Sequence, residues 1–377
     1  MANIPPLAVT SRLVARSLGL TAADLAAALQ PASLADLGDL VAFRATHLGA
    51  CIAWDDSAYL LWRYRLGRLD EGFGDLWTVR KNGELLGIVG TEDMQCTDGI
   101  AQVRGQRLMD LLILPTLADS GLGTWLNQTL FDKAGFTLAV GANRFSRGLV
   151  ARLFEPLSPM LGLVRPFRFD VQVKRLQTHA LLRSLALACA NTMMSAWTAL
   201  LSLQGRHGIE LRPIEQFEAG PETLPMCALY GPGNVQLVRS GDFLNRRLLA
   251  NPRVQMEVMG AFRNGHRLGY IAWHGGGSLG TSTDLRIFDW HVSGDRPLQT
   301  WGVLLRCAIA TARQRGCSGV RIAAQRAEKM PLRRRHGFLS PPGRTQVLVG
   351  LHESDGAGQW SRRPWALNTL CDDTHDQ

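Results

Sequence analysis

Apolar and polar positions alternate along two stretches of the chain, and Asn-Gly interrupts each stretch. Residues 75–81 and 84–91 flank Asn82-Gly83, and residues 256–262 and 267–274 flank Asn264-Gly265. Asn-Gly readily supplies the left-handed backbone of a two-residue turn, so each stretch predicts a β-hairpin. A mostly apolar run follows each hairpin: RLMDLLIL at 107–114 and LRIFDWHV at 285–292. Both read as buried strands. Helical spacing then takes over in GLGTWLNQTLFDKAG (121–135) and TWGVLLRCAIATARQRG (300–316). The strands TLAVGA and GVRIAA come next, then helices at SRGLVARLFEPL and 330–336. Closing strands are predicted near FRFDVQVKRL and at TQVLVGL, each completing the sheet of its own half. Ahead of the first hairpin, AALQPASLADLGDLVAFRATHLG reads as strand, turn and helix, with Ser33 as N-cap and Asp36 three residues later. Another helix begins over 59–64. Ahead of the second hairpin, IELRPIEQF predicts a strand and 242–250 a helix.

The same order is thus written twice. Residues 57–90 and 241–274 share an aromatic-Leu-x-x-Arg helix start, a strand, a turn and a strand. Arg80-Lys81-Asn82-Gly83 matches Phe262-Arg263-Asn264-Gly265, and Leu86-Gly87 matches Leu268-Gly269. Further on, Arg107-Leu108-Met109-Asp110 matches Arg286-Ile287-Phe288-Asp289. So long a period indicates a duplicated domain rather than a solenoid. The expected fold is α/β (α+β), with two tandem domains, each a mixed, mostly antiparallel sheet flanked by helices. The boundaries are an extension at 1–25, a first domain at 26–176, a linker helix at 177–207, a second domain at 208–351 and a loose polar tail at 352–377. Residues 184–203 carry no charge and could span a bilayer. Six of them are Ser, Thr or Asn, however, and Arg183 and Arg206 flank both ends, so no orientation cue exists. A helix buried between the domains is the expectation; membrane contact is the alternative.

Composition narrows the partners. The chain has 377 residues, 46% hydrophobic and 19% charged, enough for two cores. Its formal charge of +9 suits an anionic partner such as an anionic membrane or a phosphorylated cofactor, or simply reflects an Arg-rich composition. No RNA-binding strand signature or zinc finger occurs, so no nucleic-acid partner is expected. The seven cysteines form no CxxC pair, and His47, His274 and His291 lack ligand spacing. No metal and no disulfide framework are expected. Without a basic-then-apolar start, the chain reads as cytoplasmic, with peripheral membrane contact left open. Both monomer and homodimer are compatible with it.

Candidate chemistry lies between Asp110 and Leu126, DLLILPTLADSGLGTWL. A strand ends at Leu114-Pro115, and Gly121-Leu122-Gly123 opens a helix. Glycines let a backbone approach a pyrophosphate, and a helix N-terminus offers N–H groups to an anion. With the element order, these residues resemble the GNAT superfamily of acyl-CoA-dependent acetyltransferases, over about 26–176 and more loosely 208–350. The resemblance implies that Leu112, Ile113 and Leu114 pair with the pantetheine arm of acetyl-CoA. It implies that Asp119, Ser120, Gly121, Leu122, Gly123 and Thr124 surround the pyrophosphate. The doubling is similar to the arrangement of FemAB-type aminoacyl transferases. The implied reaction moves an acetyl group to an amine or sugar hydroxyl of a small-molecule or saccharide acceptor, as in bacterial cell-surface or exopolysaccharide biosynthesis. Aminoacyl transfer and non-catalytic binding are the alternatives.

The departures from the family pattern are specific. Ala118 replaces its loop Arg, Asp119 brings a carboxylate to a phosphate site, and Phe154 replaces the Tyr that protonates the departing thiolate. Glu92 and Asp93, at the hairpin's end, and Asp110, mid-strand, are the candidate catalytic groups. Because Asp110 recurs as Asp289, pairing with a nearby Arg is its other reading. The second copy has SGDRPLQTWG in place of Gly-x-Gly and is expected to have lost the cofactor site. Arg333-Arg334-Arg335-His336 is a basic cluster, either a solvated face or an anion contact.

Overall fold

The computed structural model describes residues 5–48, 57–66, 72–131, 133–141, 147–167, 169, 180–202, 205, 207–218, 224–275, 284–325, 335–340, 344–351, 360 and 363–368. The first half contains α1 (Leu7–Ser17), α2 (Ala22–Ala28), β1 (Leu29–Pro31), α3 (Leu37–Leu48) and α4 (Ser57–Arg63). The hairpin β2 (Gly74–Lys81) and β3 (Glu84–Thr97) follows, then β4 (Gln102–Ile113), α5 (Leu122–Phe131), β5 (Phe136–Val140), α6 (Arg147–Leu153), β6 (Glu155–Pro156) and β7 (Met160–Pro166). Helix α7 (Ala180–Ser202) leads to β8 (Glu210–Pro213), β9 (Gln236–Leu237) and α8 (Gly241–Leu244). The second hairpin, β10 (Glu257–Arg263) and β11 (His266–His274), precedes β12 (Leu285–Val292), α9 (Pro297–Gln314), β13 (Gly319–Gln325), β14 (Arg344–Thr345) and β15 (Val347–Leu351).

The local signals act as expected. Asn82 and Asn264 have φ of +51°, and the glycines after them +84° and +81°, so both hairpins turn on two left-handed residues. Ser33 and Asp36 close a reciprocal cap: the Asp36 carboxylate accepts from the Ser33 N–H and hydroxyl, each at 2.7 Å.

The strands assemble into two mostly antiparallel sheets flanked by helices, in the orders β1-β2-β3-β4-β5-β15-β6 and β14-β7-β13-β12-β11-β10-β8. The closing strands are exchanged between the halves. β15 (in TQVLVGL), expected in the second sheet, pairs with β5 and β6 in the first. β7 pairs with β13 and β14 in the second sheet, and it begins earlier than FRFDVQVKRL, whose residues 168 and 170–176 lie outside those described. Between the sheets a shared core takes Phe136 and Leu138 from the first half, Tyr270 and Phe288 from the second, and Trp360 and Trp365 from the C-terminal stretch.

Three further expectations change. The N-terminal stretch is part of the first core, with Val14, Ala15, Leu18 and Leu25 buried beside Leu122 and Trp125. The end of the chain is not uniformly loose: Trp360, Trp365, Leu367 and Asn368 are buried, and the Trp360 indole donates to Asp98 at 3.0 Å. Burying one indole removes enough apolar surface to favour the fold by roughly 4–6 kcal/mol before entropy, which outweighs the polar character of the neighbouring residues. Helix α7 is not buried. Only a narrow stripe through Asn191, Met194, Thr198 and Leu201 turns inward; its other described side chains are largely exposed. It docks along that stripe, where Thr198 accepts from Arg165 and Asn191 from the Phe169 N–H, and a helix held along one stripe leaves its remaining faces in solvent.

His291 and His336 are buried, and burial above all, aided by Arg239 and by Arg165 respectively, pushes each pKa down to about 4. Neutral when folded, they take protons near pH 6.5 only when unfolded. Their contribution to stability is therefore complete above about pH 6.5 and is lost as the pH falls towards 4. At pH 5 each loss is about 2 kcal/mol. We expect Tm to fall between pH 7 and 5, and His291→Gln to flatten that slope in a melting series; an unchanged slope would contradict this assignment.

Candidate active site

The site begins with an irregularity in β4. Gly87 lies opposite Ile113 and Ile88 opposite Leu112, but Gly90 lies opposite Met109. Asp110 and Leu111 thus face the single Val89, a β-bulge. Asp110 takes the left-handed conformation, φ +49°, which Asp tolerates better than most residues. The bulge turns two successive side chains the same way. Met109 Sδ accepts from Arg63 at 3.3 Å, and the Asp110 carboxylate accepts from the Tyr64 hydroxyl and from Arg44 at 3.4 Å. Leu111 and Ile113 then face α5.

Past the bulge the sheet opens. β4 pairs in parallel with β5 only from Gln106↔Thr137 to Leu108↔Ala139. Among the described residues, no strand pairs with that edge of β4 over 109–113. Leu112 and Ile113 remain paired with β3 on the other edge, and the Leu114 N–H donates to Leu86 at 3.0 Å. A 3-10 turn at Pro115–Leu117 leads to the loop before α5. The Ser120 hydroxyl donates to Leu117 O at 2.7 Å and accepts from the Leu122 N–H at 3.2 Å. Asp119 is exposed, Thr124 half-buried and Leu122 buried.

Both glycines of the loop have packing reasons. Gly121 has φ +79°, and a Cβ there would lie 3.4 Å from Val14 of α1. A Cβ on Gly123 would lie 3.0 Å from Ile113 and 3.6 Å from Leu149 of α6. They let α1, α5, α6 and β4 close together, and so set the α5 N-terminus beside the open edge of β4. Phe154 is buried against Phe131 in the same core, so it occupies a packing position.

The three candidate carboxylates are not brought together. Glu92 is buried and ion-paired with three guanidinium groups: Arg63 at 3.0 Å, Arg107 closer, and Arg247 of the second half at 3.8 Å. With its oxygens engaged this way, it is not placed to accept a proton from a substrate. Asp110 is held by Tyr64 and Arg44, the pairing role that its recurrence suggested. Asp93 alone has an exposed carboxylate, paired with Arg65 at 2.7 Å. Desolvation raises its pKa; Arg65 opposes the rise, while Asp75 and Glu92 add to it. With Gln106, Lys133, Ser240 and Asp242, it lines a cavity of about 820 Å³ between the halves. Asp93 sits opposite Gln106, about 10 Å along the strand from Met109, where the edge opens. Among the described residues no group of three or more His, Cys, Asp or Glu could hold a metal.

The second half has a similar opening, and it is filled. β12 and β13 pair only from Leu285↔Val320 to Ile287↔Ile322. Beyond that, Asn368 bridges to Ala324 of β13 and its amide donates to Asp289 of β12, while the Gln325 N–H donates to Leu367 O at 2.8 Å. Asp289 also accepts from Arg239 at 2.9 and 3.2 Å and from the Tyr270 hydroxyl.

No family model and no curated protein matches the chain. Solved structures do match. A GCN5-related N-acetyltransferase from Anabaena variabilis is 13% identical, with a TM-score of 0.53, covering 86% of this chain and 72% of that one. One from Kribbella flavida is 12% identical at the same TM-score and coverage. N-myristoyltransferase of Saccharomyces cerevisiae with bound myristoyl-CoA is 9% identical, with a TM-score of 0.50, covering 85% and 78%.

The chain has the GNAT fold. Within it, Arg44, Tyr64, Arg247 and Asn368 were not singled out from sequence. One signal was available. The shared aromatic-Leu-x-x-Arg start reads Tyr59-Leu60-Leu61-Trp62-Arg63 and Phe243-Leu244-Asn245-Arg246-Arg247, and both terminal arginines converge on Glu92. Removing Glu92 would leave guanidinium groups buried without their carboxylate, a loss of about 3–5 kcal/mol. We expect Glu92→Gln to lower stability by that order in urea unfolding. A purely catalytic Glu92 would leave unfolding unchanged.

Proposed function

We propose that the protein is an acyl-CoA-dependent acyltransferase that works through its first half. The observation that carries this reading is the opened edge of β4 at 109–113, leading to the α5 N-terminus. A pantetheine arm can pair with such an edge, and the first turn of α5 offers N–H groups to the pyrophosphate. Leu112, Ile113 and Leu114 would line the arm, with Ser120 to Thr124 at the phosphates. In the second half the equivalent gap holds Leu367 and Asn368, which supports a cofactor role for one half alone.

The acyl group in this reading is acetyl and the acceptor an amine. The cavity between the halves receives the acceptor, and Asp93 with Asp242 attracts a cationic group on it. At about 10 Å along the strand, Asp93 binds the acceptor without touching the thioester. Rate enhancement then rests on positioning and on β4 N–H groups that polarise the thioester carbonyl. No residue described here replaces the phenol absent at Phe154, so turnover is modest. That same absence favours a second reading, a GNAT-fold protein that binds without catalysis.

Melting with millimolar acetyl-CoA tests the binding step. At about 100 times Kd the ligand adds about 2.7 kcal/mol. We expect an upward shift that Thr124→Asp removes, because a carboxylate in the first helical turn is compatible with the helix but repels phosphate. Asp119→Asn should enlarge the shift. No shift with any acyl-CoA would overturn the proposal. A shift without release of free thiol on offering amines would favour the second reading.

A further inference from the structure

Helix α7 and the recess at its C-terminal end stand apart from this site. Ser184–Leu201 contains no charged residue and, outside its inward stripe, is largely exposed. Leu185 is 63% exposed, Met193 73% and Leu200 64%. Trp197 is on the exposed side, and its indole N–H donates to the carbonyl of Arg335 at 3.3 Å. Water is a poor partner for so long an apolar face, and exposed patches of this kind mark interaction surfaces.

The neighbouring recess supplies charge. It has a volume of about 510 Å³ and sits at the N-terminus of the 18-residue α9, lined by Arg296, Arg306, Arg335, His207 and His336. Arg306 also donates to Gly205 O at 3.2 Å, just past the end of α7. Among the described residues Asp295 is the one carboxylate in the lining. His336 in the lining, and Arg165 close enough to act on its charge, are buried and incompletely satisfied. His336 is 4% exposed, and its Nδ1 has no partner among the described residues. Arg165 is fully buried and donates to Thr198 of α7 at 2.6 Å, while its Nε and other terminal nitrogen have none. The unpartnered guanidinium nitrogens of Arg165, the exposed arginines of the lining and a helix N-terminus together suit an anion.

We propose that α7 and this recess form a docking face for an anionic lipid bilayer, with a lipid phosphate in the recess and α7 lying in the plane of the interface. The inward stripe of α7 is fixed to the protein, Thr198 accepting from Arg165 of β7 in the second sheet and Asn191 from the Phe169 N–H, so the helix binds along the bilayer rather than across it. An exposed apolar face with adjoining cations is the composition such helices need, and a Trp suits the interfacial depth. The net charge of +9 adds long-range attraction to the same surface.

Flotation of the full chain with vesicles tests this. Vesicles of phosphatidylcholine with 30% phosphatidylglycerol should bind at least tenfold more protein than phosphatidylcholine alone. Leu185→Asp with Met193→Asp should abolish binding. Arg296→Gln with Arg335→Gln, both on exposed residues, should reduce it to the level on neutral vesicles. All four substitutions are at exposed positions, and an unchanged Tm in each variant confirms folding. Three outcomes overturn the proposal. One is no flotation on either vesicle. Another is a melting shift with inorganic phosphate but no flotation, which would assign the recess to a soluble phosphate. The third is a dimer in sedimentation that Leu185→Asp with Met193→Asp makes monomeric, again without flotation, which would assign α7 to a second copy of this chain.

Discussion

The exchange of closing strands is the constraint on which the rest of the molecule depends. β15 lies between β5 and β6, and β7 lies between β13 and β14, so neither sheet is complete without the other half. Backbone N–H and C=O groups along a sheet edge need partners, and here each half supplies them to the other. The two halves therefore share one core, in which Phe136 meets Trp360 and Trp365. The same clasp brings Arg247 to Glu92 and shapes the cavity that Asp93 lines.

The two sheets are similar frames with different contents. In the first, a bulge at Asp110 and the end of pairing at Leu108 leave an edge of β4 beside α5. In the second, Asn368 and Leu367 fill the corresponding gap and satisfy Asp289 and Gln325. The repeated aspartates share a task with different helpers. Tyr64 reaches Asp110 from the residue just past α4, whereas Tyr270 reaches Asp289 from the adjacent strand. A buried carboxylate must be hydrogen-bonded, and each half has found its own donors.

Much of the architecture was legible because it depends on local rules. Asn-Gly turns, the Ser33–Asp36 cap and the apolar runs of β4 and β12 each act over a few residues. The element order they produced was enough to suggest the fold. The loop glycines do open α5, and the structure adds that Gly123 is small because Ile113 lies against it. The carboxylates were less legible. Glu92, Asp93 and Asp110 all read as polar residues near a strand, yet one is enclosed by arginines, one faces a cavity and one is bonded to a tyrosine.

The sequence by itself determined where the two hairpins, the buried strands after them and the helices that follow lie, and that this order of elements is written twice. Backbone conformation and apolar periodicity are properties of neighbouring residues, so they survive without knowledge of the partners. Only the tertiary structure decided which sheet each closing strand joins, that the chain's end fills the second opening, and that α7 remains outside the core. Those outcomes depend on which distant surfaces satisfy one another's hydrogen bonds and exclude water from one another, and no stretch of a few residues carries that information.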